Sequence, residues 1–244
     1  MKYLSMQMYS LRKEPFEKSL QRLANIGYSG IELYGTGGMI PVDVTKILKK
    51  YNMKVVGNHI PLERLIRALD KEFEINNILE NKNIVCPTCH YDSIEDINRL
   101  AETLTEIAYK CRNNGFVLLL HNHDGEFKKV NDEYVLDYLL KTMPKYFNIE
   151  LDVFWAKFAG VDPLKYIESQ KDRCKIIHLK DLKDYNDKSN INLGEGIVDI
   201  GNIIRKDINV EYVYEREDDG FDPWDNINIS YQYFNRIANG GKVK

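Results

Sequence analysis

The sequence predicts an α/β fold of the (β/α)8 TIM barrel type, a single domain over residues 1–244. Two observations carry this expectation. Eight short apolar runs alternate with longer stretches of helical periodicity, and the runs begin about 25 to 35 residues apart, the repeat of successive βα units. Several runs are apolar almost throughout, such as Val117-Leu118-Leu119-Leu120, as strands buried on both faces must be. A doubly wound open sheet would alternate in the same way. No GxGxxG follows the first run, however, and eight even units favour the closed form.

Each element has its own signal. The first run covers residues 3–9, and Leu20, Leu23 and Ile26 then mark a helix face that Gly27 closes. The second run, 30–33, contains Glu32, and the third, 54–57, leads to His59. The fourth, 84–86, runs into Cys86-Pro87-Thr88-Cys89 and His90. Ile94, Ile97, Leu100, Leu104, Ile107 and Cys111 then share one helix face. Ser93 with Asp96 resembles a capping box, and Gly115 is a natural stop. The fifth run, 116–120, leads to His121 and His123, and the sixth, 147–153, contains Asp152. Asp162-Pro163 reads as an N-cap followed by proline at N1, opening a helix with Leu164 and Ile167. The seventh run, 175–179, holds His178, and the eighth, 211–214, leads to Glu215.

Composition narrows the function. Hydrophobic residues make up 43% and charged residues 29%, ordinary for a soluble globular chain. Acidic and basic residues are interspersed with a net charge of -3, so no basic stripe offers itself to nucleic acid. No apolar stretch is long enough to span a membrane. The first residues lack the apolar segment of a signal peptide, which predicts a cytoplasmic protein. Four cysteines are too few for a disulfide framework and read as reduced thiols. Cys86 and Cys89 alone lie close in sequence, and the end of a barrel strand is the wrong context for a thioredoxin-like redox motif.

The polar chemistry falls at one end of the predicted strands. All five histidines lie at or just past the C-terminal end of an apolar run, as do Glu32, Asp152 and Glu215. In a barrel those ends meet on one rim, where active sites sit. Histidine and carboxylate without cysteine suit Mn, Zn, Co, Mg or Fe(II), and open positions on such an ion would polarise a substrate oxygen.

The segment His121-Asn122-His123-Asp124-Gly125-Glu126-Phe127 resembles the HNHDxEF signature of a branch of the xylose isomerase-like sugar phosphate isomerase/epimerase family. Ile31-Glu32-Leu33-Tyr34-Gly35, Leu151-Asp152, Ile177-His178-Leu179-Lys180-Asp181, Gly194-Glu195-Gly196 and the last strand before Glu215 are similar to the same family in order. The resemblance implies one divalent metal (Mn, Zn, Co or Mg) held by His121, Asp152, His178 and Glu215. It departs from many members in carrying His121 where they have glutamate, which leaves Glu126 as an alternative ligand. The implied reaction is sugar or sugar phosphate isomerisation or epimerisation, by α-proton abstraction and a metal-stabilised enediolate. Glu215, Glu126, His123 and Lys180 are the candidate catalytic groups. Glu32, His59, Asn122, Trp155 and Glu195 are the candidate contacts to a small carbohydrate.

Three other functions are compatible with such a barrel. A lyase or dehydratase on a keto-sugar or keto-inositol shares the first step, and the missing strand-five glutamate leans slightly that way. A barrel that binds sugar without turning it over keeps the ligands but not the chemistry. An apurinic-site nuclease would need more histidines and basic loops than the chain has. Phosphorylation of the substrate and a homo-oligomer are left open. Residues 218–224 are expected to loop over the mouth, with Phe221 and Trp224 lining the pocket or a partner's surface.

Overall fold

The computed structural model describes residues 2–217 and 222–242. Its centre is a closed barrel of eight parallel strands. These are β1 (Leu4–Gln7), β2 (Gly30–Leu33), β3 (Lys54–His59), β4 (Asn83–Cys86), β5 (Val117–His121), β6 (Asn148–Asp152), β7 (Cys174–Leu179) and β8 (Glu211–Tyr214). Each pairs with its neighbour in sequence, and β8 closes on β1 with Leu4 opposite Tyr212. The eight expected runs are these eight strands, with small shifts at the ends. β1 stops at Gln7 because Met8–Leu11 turn into a 3-10 helix, where the Gln7 side chain accepts the Tyr9 N–H. β3 continues to His59 because Asn58 and His59 still pair with β4.

Helices follow the strands: α1 (Phe16–Ile26), α2 (Pro41–Lys50), α3 (Leu62–Ile78), α4 (Ile94–Asn113), α5 (Val135–Thr142), α6 (Val153–Phe158), α7 (Pro163–Ser169), α8 (Ile200–Arg205) and α9 (Trp224–Ala238). The capping signals act as expected, with one variation. Ser93 Oγ accepts the Asp96 N–H at 3.1 Å, but Asp96 returns its bond to the Asp92 N–H rather than to the Ser93 backbone. Gly27 ends α1 at a φ of 120° and Gly115 follows α4 at 76°, conformations a side chain would resist. Asp162 caps α7 through the N–H groups of Leu164 and Lys165. No helix among the described residues is long and apolar enough to cross a membrane.

Two cores result. The larger one joins the helices to the outer faces of the strands. The smaller is a plug of Val56, Val85, Leu119, Ile176 and Val213, from β3, β4, β5, β7 and β8. Side chains two residues apart on a strand share a face. Two residues beyond Leu119, Ile176 and Val213 come His121, His178 and Glu215. The apolar plug is therefore the floor of a polar layer at the C-terminal rim.

Trp224 does not line that rim. It opens α9, is 4% exposed, and packs under the Arg22 guanidinium of α1 at 4.0 Å. An aromatic side chain at the first turn of the last helix is drawn into the outer core, where it buries more area than at a wet mouth. Phe221 lies outside the described residues.

Two strand pairings slip by a residue, between Ile31 and Glu32 and between Ile149 and Glu150. Such irregularities re-aim side chains, and both carboxylates end fully buried. Gly57, opposite Glu32, leaves the room: a Cβ there would collide with Glu32 Oε1 and lie 3.2 Å from Ile176 Cδ1. Gly57→Ala is expected to lower stability by about 1–3 kcal/mol through overpacking. A urea midpoint equal to the parent's would show instead that the interior can yield.

Candidate functional site

Four of the five histidines meet in the polar layer. Ring centroids stand 5.2 Å apart for His59 and His121, 4.8 Å for His121 and His178, 5.6 Å for His59 and His178, and 5.0 Å for His121 and His123. His90 does not join them; it is exposed on the loop after β4.

A lower group surrounds Glu150, which the sequence reading did not single out. One oxygen, Oε1, faces His59 Nε2 at 2.7 Å, His121 Nδ1 at 2.9 Å and His178 Nε2 at 3.0 Å. Glu32 stands beside it, accepting from Gln7 Nε2 at 2.7 Å, with its Oε2 2.6 Å from His178 Nε2 and 3.2 Å from His59 Nε2. Burial alone would lower the His59 imidazolium, but Glu32 and Glu150 outweigh it and raise its pKa to about 10. His178 is likewise lowered by burial yet held well above the usual range by Glu150 and Glu32. Burial and the Glu32 charge work against ionising Glu150, but His178 and His59 prevail and bring it to about 2. Period two along β6 was the available signal, because Glu150 lies two residues before Asp152 on the same strand face.

An upper group holds the four residues expected as ligands. One donor atom each from His121, Asp152, His178 and Glu215 lie within 4.8 Å of one another, and all four residues are buried. Glu126 belongs to neither convergent group among the described residues. Its carboxylate takes the His123 N–H at 2.7 Å and the Tyr91 hydroxyl at 3.3 Å. Asp152 divides its work. Oδ1 caps α6 through the N–H groups of Phe154 and Trp155, while Oδ2 is buried without a hydrogen-bond partner. Burial pushes the Asp152 carboxyl up to about 7, against the pull of Lys180. Burial also opposes the charge on Glu215, but Lys180 and His178 bring it down to about 2. Lys180 is 1% exposed, bonds Glu217 at 2.8 Å and stands 3.8 Å from Glu215. Burial lowers its pKa, and Glu215, Asp152 and Glu217 more than restore it.

The remaining candidates divide. His123 faces the half-buried Trp155 ring at 5.5 Å, and Lys180 Nζ lies 5.3 Å from that ring. Burial lowers the His123 imidazolium despite the Glu126 charge. Asn122 is fully buried and spent on backbone: it accepts the Asp152 N–H at 2.9 Å and donates to the Asp152 carbonyl at 3.3 Å. Glu195 is exposed on a turn, bonded to Asn192. Its neighbours Gly194 and Gly196 wrap instead around the buried Asp181, which accepts N–H groups from Leu182, Gly194, Gly196 and Val198 at 2.9 to 3.1 Å. Cys86 and Cys89 are free thiols with sulfurs 3.7 Å apart. A cavity of about 630 Å³ opens beside Asn58 and His59, walled by the Gly35–Gly38 loop, Arg64 and Lys71.

A model of the xylose isomerase-like TIM barrel family matches residues 20–206. The chain belongs to that family. Among solved xylose isomerase-like barrels, a sugar phosphate isomerase/epimerase from Parabacteroides distasonis superposes with a TM-score of 0.84 at 23% identity, covering 100% of this chain and 96% of that one. A probable 3-DHS dehydratase from Bacillus anthracis gives 0.78 at 17%, covering 96% and 99%. An L-ribulose 3-epimerase gives 0.75 at 13%, covering 98% and 95%. At these identities the likeness is one of fold. No curated protein matches the chain.

The Asp152 carboxyl carries a testable consequence. A divalent ion there would compete with protons for Asp152 and for the raised His178, so its affinity is expected to climb from acid pH through about 7 and to go on climbing above it. Titration calorimetry across that range checks it. Asp152→Asn should flatten the climb as well as weaken binding.

Proposed function

We propose that this protein is a divalent-metal-dependent enzyme that isomerises or epimerises a small sugar or sugar phosphate by moving a proton on the carbon beside a carbonyl. The observation that carries this reading is the convergence of His121, Asp152, His178 and Glu215, with Lys180 buried against them. The donor set fits a cation. A buried carboxylate oxygen without a partner, as Asp152 Oδ2 is, is costly unless something positive meets it. Nitrogen and oxygen donors without sulfur suit Mn, Zn, Co or Mg. Bound there, such an ion would supply Lewis acidity toward a substrate oxygen.

The chain's own groups perform the proton chemistry. Glu215, held ionised, takes the proton from the substrate carbon. His123, held neutral by burial, is the second group that takes or returns a proton. Lys180 remains an ammonium and donates to the substrate oxygen that gains negative charge. Trp155 offers a ring face beside His123 for the apolar side of a sugar. The cavity next to His59 gives room for the far end of the substrate, with Arg64 and Lys71 on its wall.

A second reading, a lyase or dehydratase, draws on one observation. Both Glu126 oxygens already have donors, the His123 N–H and the Tyr91 hydroxyl, so a second free carboxylate for two-sided proton exchange is not at hand. Incubating the metal-loaded protein with keto-sugars in deuterated water separates the readings. Deuterium at the α-carbon of an isomeric sugar supports the epimerase, and loss of a β-substituent supports the lyase. Glu215→Gln is expected to slow exchange by about 100- to 10,000-fold, the usual worth of a positioned base. Unchanged exchange in that variant removes Glu215 from the proton step.

A further inference from the structure

We infer that Glu150 is a positioning residue: by accepting the inner N–H of both His121 and His178, it leaves their opposite nitrogens to face a metal. The inference rests on the metal reading above. Glu150 takes no part in the proton chemistry, yet it is fully buried on β6 with three imidazoles on one oxygen and its Oε2 without a partner. Keeping such a group in a barrel interior is costly unless its neighbours need it.

Donor and acceptor counting fixes which nitrogens face inward. A neutral imidazole has one N–H and one lone pair, and a carboxylate can only accept. His121 meets Glu150 through Nδ1, so the proton sits on Nδ1 and the lone pair on Nε2. His178 meets Glu150 and Glu32 through Nε2, so that nitrogen keeps its proton in either charge state, and Nδ1, which faces Glu215 at 3.2 Å, is the nitrogen that would give up its proton to a metal. The two histidines are thus held by opposite nitrogens on the same carboxylate. His59 Nε2, between Glu150 and Glu32, brings positive charge to the pair and gives up no nitrogen to the upper group. Carboxylates behind metal-bound imidazoles act in this way elsewhere, fixing the tautomer and raising ligand basicity.

The experiment pairs histidine nitrogen NMR of the metal-free protein with zinc affinity by competition. The parent is expected to show His121 in the Nδ1–H form. Glu150→Gln keeps the volume but loses the charge. Glu150→Ala removes the acceptor. Glu150→Ala is expected to shift His121 toward the Nε2–H form, Glu150→Gln, whose amide oxygen still accepts, to keep the tautomer, and each to weaken zinc by about 10- to 100-fold, the usual effect of losing such a partner. If Glu150→Ala does not fold, Glu150→Gln decides. Folded variants with parental tautomer and parental zinc affinity overturn the inference. So does loss of zinc in His59→Ala with zinc retained in Asp152→Asn, because the ion would then sit in the lower group with Glu150 as its ligand. A parent that binds no divalent ion removes the metal reading, and the His121 tautomer alone then decides the role of Glu150.

Discussion

Two carboxylates inside a closed barrel must be matched by positive charge and by donors, and the rest of the site is arranged around that requirement. Glu32 and Glu150 have lost water altogether. An isolated ion in such a place is untenable, so each must be paired and hydrogen-bonded. The register slips after Ile31 and Ile149 turn them inward, Gly57 makes space, and Gln7 donates from β1. The imidazoles of β3, β5 and β7 then have little freedom. Their orientation toward the mouth follows from what they are bonded to beneath it.

Much of the fold was legible in the sequence because a parallel barrel writes each strand as a continuous apolar run. Gly30–Leu33 and Glu211–Tyr214 appear with the expected ends. His59 extends β3 because its pairing is long-range, and no local pattern announces that Val85 will stand opposite it. The four expected ligands come together because all sit at strand ends, which the barrel converts into proximity. Glu150 escaped because its neighbours Ile149 and Leu151 make the run look apolar. Glu195 stood out for its glycines, yet those serve Asp181, whose donors lie too far along the chain for local reading.

Fold likeness and chemistry part company in this family. Neighbours that superpose on almost the whole chain carry names as different as a dehydratase and an epimerase. The scaffold brings a rim of strand ends, and the choice among reactions falls to the few groups mounted there. The rim of this chain carries an imidazole on β5, a second imidazole two residues on whose pKa burial lowers, and an ammonium with almost no solvent contact.

The loops of the mouth are laced to one another on one side and bordered by open space on the other. Asp181 gathers the segment after β7 by four backbone bonds, while Arg216 and Glu217 beyond β8 tie back to Asn190 and Asn192 of that segment. The described part of the segment after β8 is thus bonded to the segment after β7. Across the barrel, nothing lies within 4 Å of where a side chain would start at Gly35, Gly37 or Gly38. At those positions the wall of the cavity beside His59 offers a small molecule peptide groups rather than side chains.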